Sequence, residues 1–238
     1  MGTAYRPRHH DPRPDDGRSD SCCCGQRIAL LAVLASRSMS RNWSARVCSG
    51  HIPTVARGQA MQIRRVVTGH SPEGKAVFAS DELVPAITAD LVPGADFFRL
   101  WGSDTVSHFP DAGAPPVAPA YFPPLTGFRF GVFTVAPVST PSPVGIDMGE
   151  AFAQLETRLP GLAAHLEPDH PGMHTTATID YEFVVSGRVV LELDDGASVE
   201  LGPGDTVIQN GTRHAWRNPF DEPCVLVVVL VGAHHDQM

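Results

Sequence analysis

From Met61 onward the chain holds a single cysteine, Cys224, so no disulfide can form within that stretch. That absence suits a reducing compartment, and a cytoplasmic protein is expected. Long apolar runs are missing too. The N-terminal region offers only Ile28–Ala35, eight residues, where a bilayer span needs roughly 20, so no membrane partner is expected. Positive charge is scarce beyond Met61: nine basic residues stand against 22 acidic ones, a net of −13. Such a balance excludes a binder of phosphate backbones, and no nucleic-acid partner is expected. Phosphate-cradling P-loops, the dinucleotide motif GxGxxG and the nucleophile elbow GxSxG are all absent.

What is present falls into two unlike pieces. The whole chain has 238 residues and a net charge of −8. Residues 1–60 carry nine Arg, no Lys and four Asp, a net of +5, together with four of the five cysteines (Cys22, Cys23, Cys24 and Cys48). Ile28–Ala35 resembles a signal-peptide core, with Arg27 before it and Ala35-Ser36 after it. The long aspartate-bearing lead and the flanking Arg37 and Arg41 argue against export. The cysteine triplet has no second Cys/His pair at finger spacing. Residues 1–60 are therefore expected to be a disordered extension, or to lie upstream of the true start. Residues 61–233 are expected to form a single domain, long enough for one core. Residues 234–238, with His234 and His235, are expected to be a flexible tail.

Beyond Met61 the pattern is strands and turns. Ile63–Thr68, Ala76–Ser80, Phe97–Trp101 and Phe128–Val135 read as strands. Residues 110–124 contain six prolines, which excludes helix and central strand. One helix is expected. Asp147 caps it, Glu150 completes a capping box, Met148, Phe152, Leu155 and Leu159 form its apolar stripe, and Pro160-Gly161 ends it. Hairpins follow: Asp180–Val185, Arg188–Leu193, Ser198–Leu201, Thr206–Gln209, His214–Arg217 and the apolar Cys224–Val231, separated by Gly- and Asp-rich turns. Short, evenly spaced strands of this kind predict an all-β sandwich or barrel.

Two stretches then carry a family resemblance. HTTATIDYEFVVSG places His174 on the first histidine of the first cupin motif, Thr176 where a second histidine would stand, Asp180 on its glutamate and Gly187 on its closing glycine. GDTVIQNGTRHAWRN matches the second motif at Gly204, Asp205, Gly211, His214 and Asn218, with Gln209 in place of a proline. From Gly172 to Asn218 the chain thus resembles cupins. The resemblance implies a double-stranded β-helix (jelly-roll) barrel, with one or two short helices beside it.

The resemblance also implies a metal set of His174, Asp180 and His214, two imidazoles and a carboxylate suited to Fe, Mn or Zn. A straight strand would put roughly 20 Å between His174 and Asp180, so a bend is expected within Thr175–Ile179. Glu182, two residues after Asp180 and on the same face, is the candidate catalytic acid/base, with a cross-strand pairing to Arg188 as the alternative. Gln209, Trp216 and Tyr181 are candidate ligand contacts. Arg129 could meet an anion, or form an outward ion pair. His165 and His170 could supply a missing ligand, or face solvent. The implied function is a metal-dependent enzyme acting on a small carbonyl or carboxylate compound. The alternative is a small-molecule-binding or sensor barrel without metal. A homodimer is expected, with Cys224–Val231 available to pair between copies.

Overall fold

The structure is a computed structural model and describes residues 61–236. The N-terminal extension, its cysteine triplet and the Ile28–Ala35 run lie outside the described residues, as do Gln237 and Met238. In chain order the elements are β1 (Ile63–His70), β2 (Ala76–Val84), β3 (Phe97–Ser103), β4 (Phe128–Val135), α1 (Met148–Arg158), β5 (Thr178–Ser186), β6 (Val189–Glu192), β7 (Ser198–Leu201), β8 (Thr206–Asn210), β9 (Ala215–Arg217) and β10 (Cys224–Gly232). Short 3-10 turns cover Ala163–His165 and Asp194–Gly196.

Five strands form one sheet in the order β3-β4-β10-β5-β8, and three form a facing sheet in the order β7-β6-β9. β1 and β2 make a separate antiparallel hairpin. The expected jelly roll is thus built from β3 to β10. Val184, Val189, Leu191, Leu201, Cys224 and Leu226 fill one end of the space between the two sheets. Gly187 makes the β5–β6 turn there: its φ is +74°, and a Cβ would lie 2.4 Å from the Pro223 carbonyl oxygen. Only glycine satisfies both constraints.

Cys224–Val231 is the strand that could pair across a dimer. In the fold, β10 is hydrogen-bonded on both edges, to β4 and to β5. A continuous run of apolar residues fits that position, because a central strand is covered on both faces and has no open edge.

The helix starts as expected, with Asp147 Oδ1 accepting from the Glu150 N–H at 3.0 Å. Its buried stripe differs from the expected one. Ala151, Leu155 and Leu159 are buried, whereas Met148 and Phe152 are exposed. The four-residue spacing of 151, 155 and 159 selects the facing line, and Phe152 lies one residue around the helix from it. The stripe packs with Leu162 against Ile87, Phe97, Tyr121 and Phe122.

The proline-rich segment crosses one side of the barrel without regular structure. Proline lacks an N–H, so the carbonyls of this segment need donors from elsewhere. Two arginines supply them. Arg99 donates to the carbonyls of Ala118, Pro119 (3.1 Å) and Ala120 (2.9 Å). Arg129 donates to Ala120 (2.9 Å) and Ser103 (3.3 Å), and its Nη2 reaches Asp104 at 2.6 Å. Arg129 is therefore buried and committed to the segment, neither an outward ion pair nor a free anion site.

Candidate functional site

The barrel interior opens into a cavity of about 540 Å³. Phe97, Tyr121, Phe122, Phe133 and Trp216 give it an aromatic wall, and Asp180, Glu182, His174 and His214 give it its polar groups. Val138, Ser142, Pro171 and Gly172 also line it and are exposed, so the cavity meets solvent on their side.

β5 places the acids. Along this strand Thr178, Asp180, Glu182 and Val184 are buried, while Tyr181 and Phe183 are exposed. The inner row thus turns from apolar Val184, in the core, to carboxyls facing the cavity. Asp180 pairs with Leu230 of β10 and Gln209 of β8, and Glu182 with Val228 and Val207. No cation answers either acid among the described residues. Arg188, the expected cross-strand partner of Glu182, pairs instead with Glu200 at 3.0 Å. Asp180 Oδ1 and Glu182 Oε2 are buried without a hydrogen-bond partner. Burial lifts Asp180 to about 6, with the Thr178 hydroxyl partly opposing the rise. Burial, and then the neighbouring Asp180, lift Glu182 well above the ordinary glutamate range. Tyr121, brought in by the proline-rich segment, is pushed upward by burial and by both carboxyls.

The histidines come from a bridge between the two halves of the motif. His174 and His214 exchange backbone hydrogen bonds at 2.9 and 3.0 Å, and their rings lie 4.2 Å apart. Each Nδ1 faces a carbonyl oxygen, Gly172 at 3.1 Å for His174 and Thr212 at 2.9 Å for His214. A carbonyl only accepts, so both Nδ1 atoms carry the proton and both Nε2 lone pairs are left available. Burial keeps both rings neutral: it lowers His174, and together with His174 it pulls His214 down to about 4.

The chain does bend at Ala177, within the expected stretch, and β5 begins at Thr178. The bend unites His174 with His214 but not with Asp180. Among the described residues no group of three His, Cys, Asp or Glu side chains is placed to hold one ion. Thr176, at the position of the motif's second histidine, is hydrogen-bonded to Thr178 at 2.8 Å. His165 gives its Nδ1 to the Thr175 carbonyl at 2.9 Å, and His170 lies against Glu167 at 3.3 Å. The donor set therefore falls one ligand short of the expected centre. Untagged protein is expected to carry well under one equivalent of Fe, Mn or Zn by mass spectrometry. A full equivalent that disappears in the His174→Ala/His214→Ala variant would contradict this.

The other candidates divide. Trp216 lines the cavity, edge-on to His214 at 6.1 Å. Gln209 is buried, but its amide N–H groups are spent on the Thr212 carbonyl (2.9 Å) and hydroxyl, so it secures the turn rather than a ligand. Tyr181 is 48% exposed on the outer face of β5, because its odd position points away from the acids. His235, expected in a flexible tail, lies with its Nε2 3.0 Å from the Gly211 carbonyl oxygen. Tyr121 was missed from the sequence, since a tyrosine inside a proline-rich loop carries no periodic signal.

An antiparallel jelly roll with one packed end and a ligand-sized cavity at the other defines a small β-barrel domain. The family model described as a cupin domain matches residues 164–230. Phomopsin biosynthesis cluster protein C' of Diaporthe leptostromiformis is 31% identical over 154 residues, covering 65% of this chain and 69% of that protein. Oryzines biosynthesis cluster protein J of Aspergillus oryzae is 27% identical over 159 residues, covering 66% and 75%. Among solved structures, a cupin 2 conserved barrel domain protein from Salinispora arenicola is 20% identical, covering 61% of this chain and 82% of that one, with a TM-score of 0.33. The chain belongs to the cupin superfamily. Among the described residues, no helix is long and apolar enough to cross a membrane.

Proposed function

We propose that this cupin is an enzyme of small-molecule biosynthesis that works by general acid–base catalysis, with Glu182 and Asp180 as its proton-handling pair. The observation that carries the reading is the pair of unpartnered oxygens, Asp180 Oδ1 and Glu182 Oε2, buried on the wall of a ligand-sized cavity. Orphaned buried acceptors cost stability, and a fold keeps them where a ligand uses them. The relatives' names, which assign them to biosynthesis clusters, support the same reading.

The two carboxyls are suited to opposite roles. Glu182, held protonated by burial and by its neighbour, can donate a proton to a ligand atom. Asp180, lifted to about 6, is ionised at neutral pH and can accept one. The pair titrates as a unit, so ionising one acid holds the proton on the other. The aromatic wall excludes water and orients the ligand's apolar body. Neutral His174 and His214 accept hydrogen bonds from the ligand nearer the mouth.

Styrene oxide tests the reading, because a carboxylate oxygen opens the epoxide ring, forms an ester, and the ring oxygen takes up a proton. The aromatic body favours the cavity, so adducts are expected on the peptide that carries Asp180 and Glu182. They should vanish in Asp180→Asn/Glu182→Gln. Adducts confined to exposed acids such as Asp221 and Glu222 would sink the proposal.

A further inference from the structure

Four acceptor atoms on the cavity lining are open to a ligand. Asp180 Oδ1 and Glu182 Oε2 lack partners. The Nε2 atoms of His174 and His214 keep their lone pairs, since each Nδ1–H is given to a carbonyl. Cationic groups near the cavity are already committed. Arg217 lines it, but its Nε bonds Glu192 and its Nη1 bonds the Pro171 carbonyl, both at 2.6 Å. Arg99 and Arg129 lie behind Tyr121 and are spent on the proline-rich segment and Asp104. A carboxylate or phosphate ligand would meet two acids and no available positive charge.

A cation meets the reverse. Asp180 offers charge, Glu182 an acceptor oxygen, and the aromatic rings of Phe97, Tyr121, Phe122, Phe133 and Trp216 line the wall. An ammonium also carries three N–H donors and no acceptor, the complement of this acceptor set. We infer that the ligand is an organic amine, bound as its ammonium ion with the nitrogen at Asp180 and Glu182 and an apolar or aromatic body along the ring-lined wall. This rests on the reading of the cavity as the ligand site, and it replaces the carboxylate class expected from the sequence.

Three probes of one size separate the possibilities: benzylamine, benzyl alcohol and benzoate, titrated calorimetrically into the full chain at neutral pH. Benzylamine is expected to bind at least about tenfold more tightly than benzoate, the margin of a charge-assisted hydrogen bond. Asp180→Asn/Glu182→Gln keeps the shape and the outer surface charge, so it should erase that preference while leaving benzyl alcohol binding in place. An unchanged preference in this variant would assign amine binding to the acidic exterior and overturn the inference. Benzoate binding as tightly as benzylamine, with styrene oxide still labelling the pair, would overturn the amine class alone. Absence of both binding and labelling would overturn the class and the cavity reading together.

Discussion

Arg129→Met is expected to destabilise the domain by about 3–5 kcal/mol, the range for removing one partner of a buried charged network. The side chain donates at once to Ala120, Ser103 and Phe128 carbonyls and to Asp104. Methionine fills similar volume but offers no donor, and the proline-rich segment has no N–H groups of its own at its prolines to compensate. For a domain of this size that loss corresponds to a fall in Tm of roughly 6–20 °C. Residues 118–122 should also exchange hydrogen faster, because only Arg99, the Tyr121 N–H bond to the Pro160 carbonyl and the packing of Tyr121 and Phe122 then hold them. Arg129→Lys should recover little, since an ammonium cannot reproduce the planar fork. A melting temperature within about 2 °C of wild type, with unchanged exchange at 118–122, would show that the arginine is not what anchors the segment.

Asp180→Asn is expected to do the opposite and stabilise the protein at neutral pH. A carboxyl lifted from 3.8 to about 6 by folding costs about 3 kcal/mol once both states are ionised. Between about pH 4 and pH 6 the folded chain keeps a proton that the unfolded chain has lost, so this group lowers stability as pH rises through that window. His214 has the reverse sign. Pulled from 6.5 to about 4, it is neutral in the fold while the unfolded chain is protonated, so its contribution rises with pH across the same window and on to 6.5. In wild type the two slopes largely cancel. The asparagine variant loses the Asp180 slope, so its advantage over wild type should be near zero around pH 4 and grow to about 1–3 kcal/mol above pH 6. Urea unfolding at several pH values checks this. A variant less stable than wild type at neutral pH would mean that Asp180 is paired and structural.

The strand order of the two motifs, the turn glycines and the capped helix were legible because each is written in local chemistry: β-branched runs, Gly-Asp turns and an Asp147–Glu150 cap. Asp180 and Glu182 were legible as one face of a strand directed into the barrel, because the motif resemblance and the period of two place them together. Tyr181, between them, could not share that face, and in the structure it faces out. The ligand set His174, Asp180 and His214 is not brought together among the described residues. Motif spacing fixes which residues share a strand, but the bend at Ala177 decides which side chains meet, and it joins His174 to His214 while leaving Asp180 with Glu182. Arg129, between Phe128 and Phe130, reads as an anion contact or an outward ion pair, and Arg99 carries no signal of its own. Only the unmet carbonyls of a distant proline-rich segment explain why they turn inward.

The central claim is that Asp180 and Glu182 are buried acids, each with one oxygen left unpartnered and no cation against it, held ready for a ligand. Carbon-13 NMR of the side-chain carboxyls across pH tests it directly, with Asp180→Asn and Glu182→Gln providing the assignments. Two coupled carboxyl signals are expected to titrate above the ordinary carboxylate range, one of them near 6. If both signals titrate in the ordinary range near 4, the carboxyls are solvated or paired, and the account of this site is wrong.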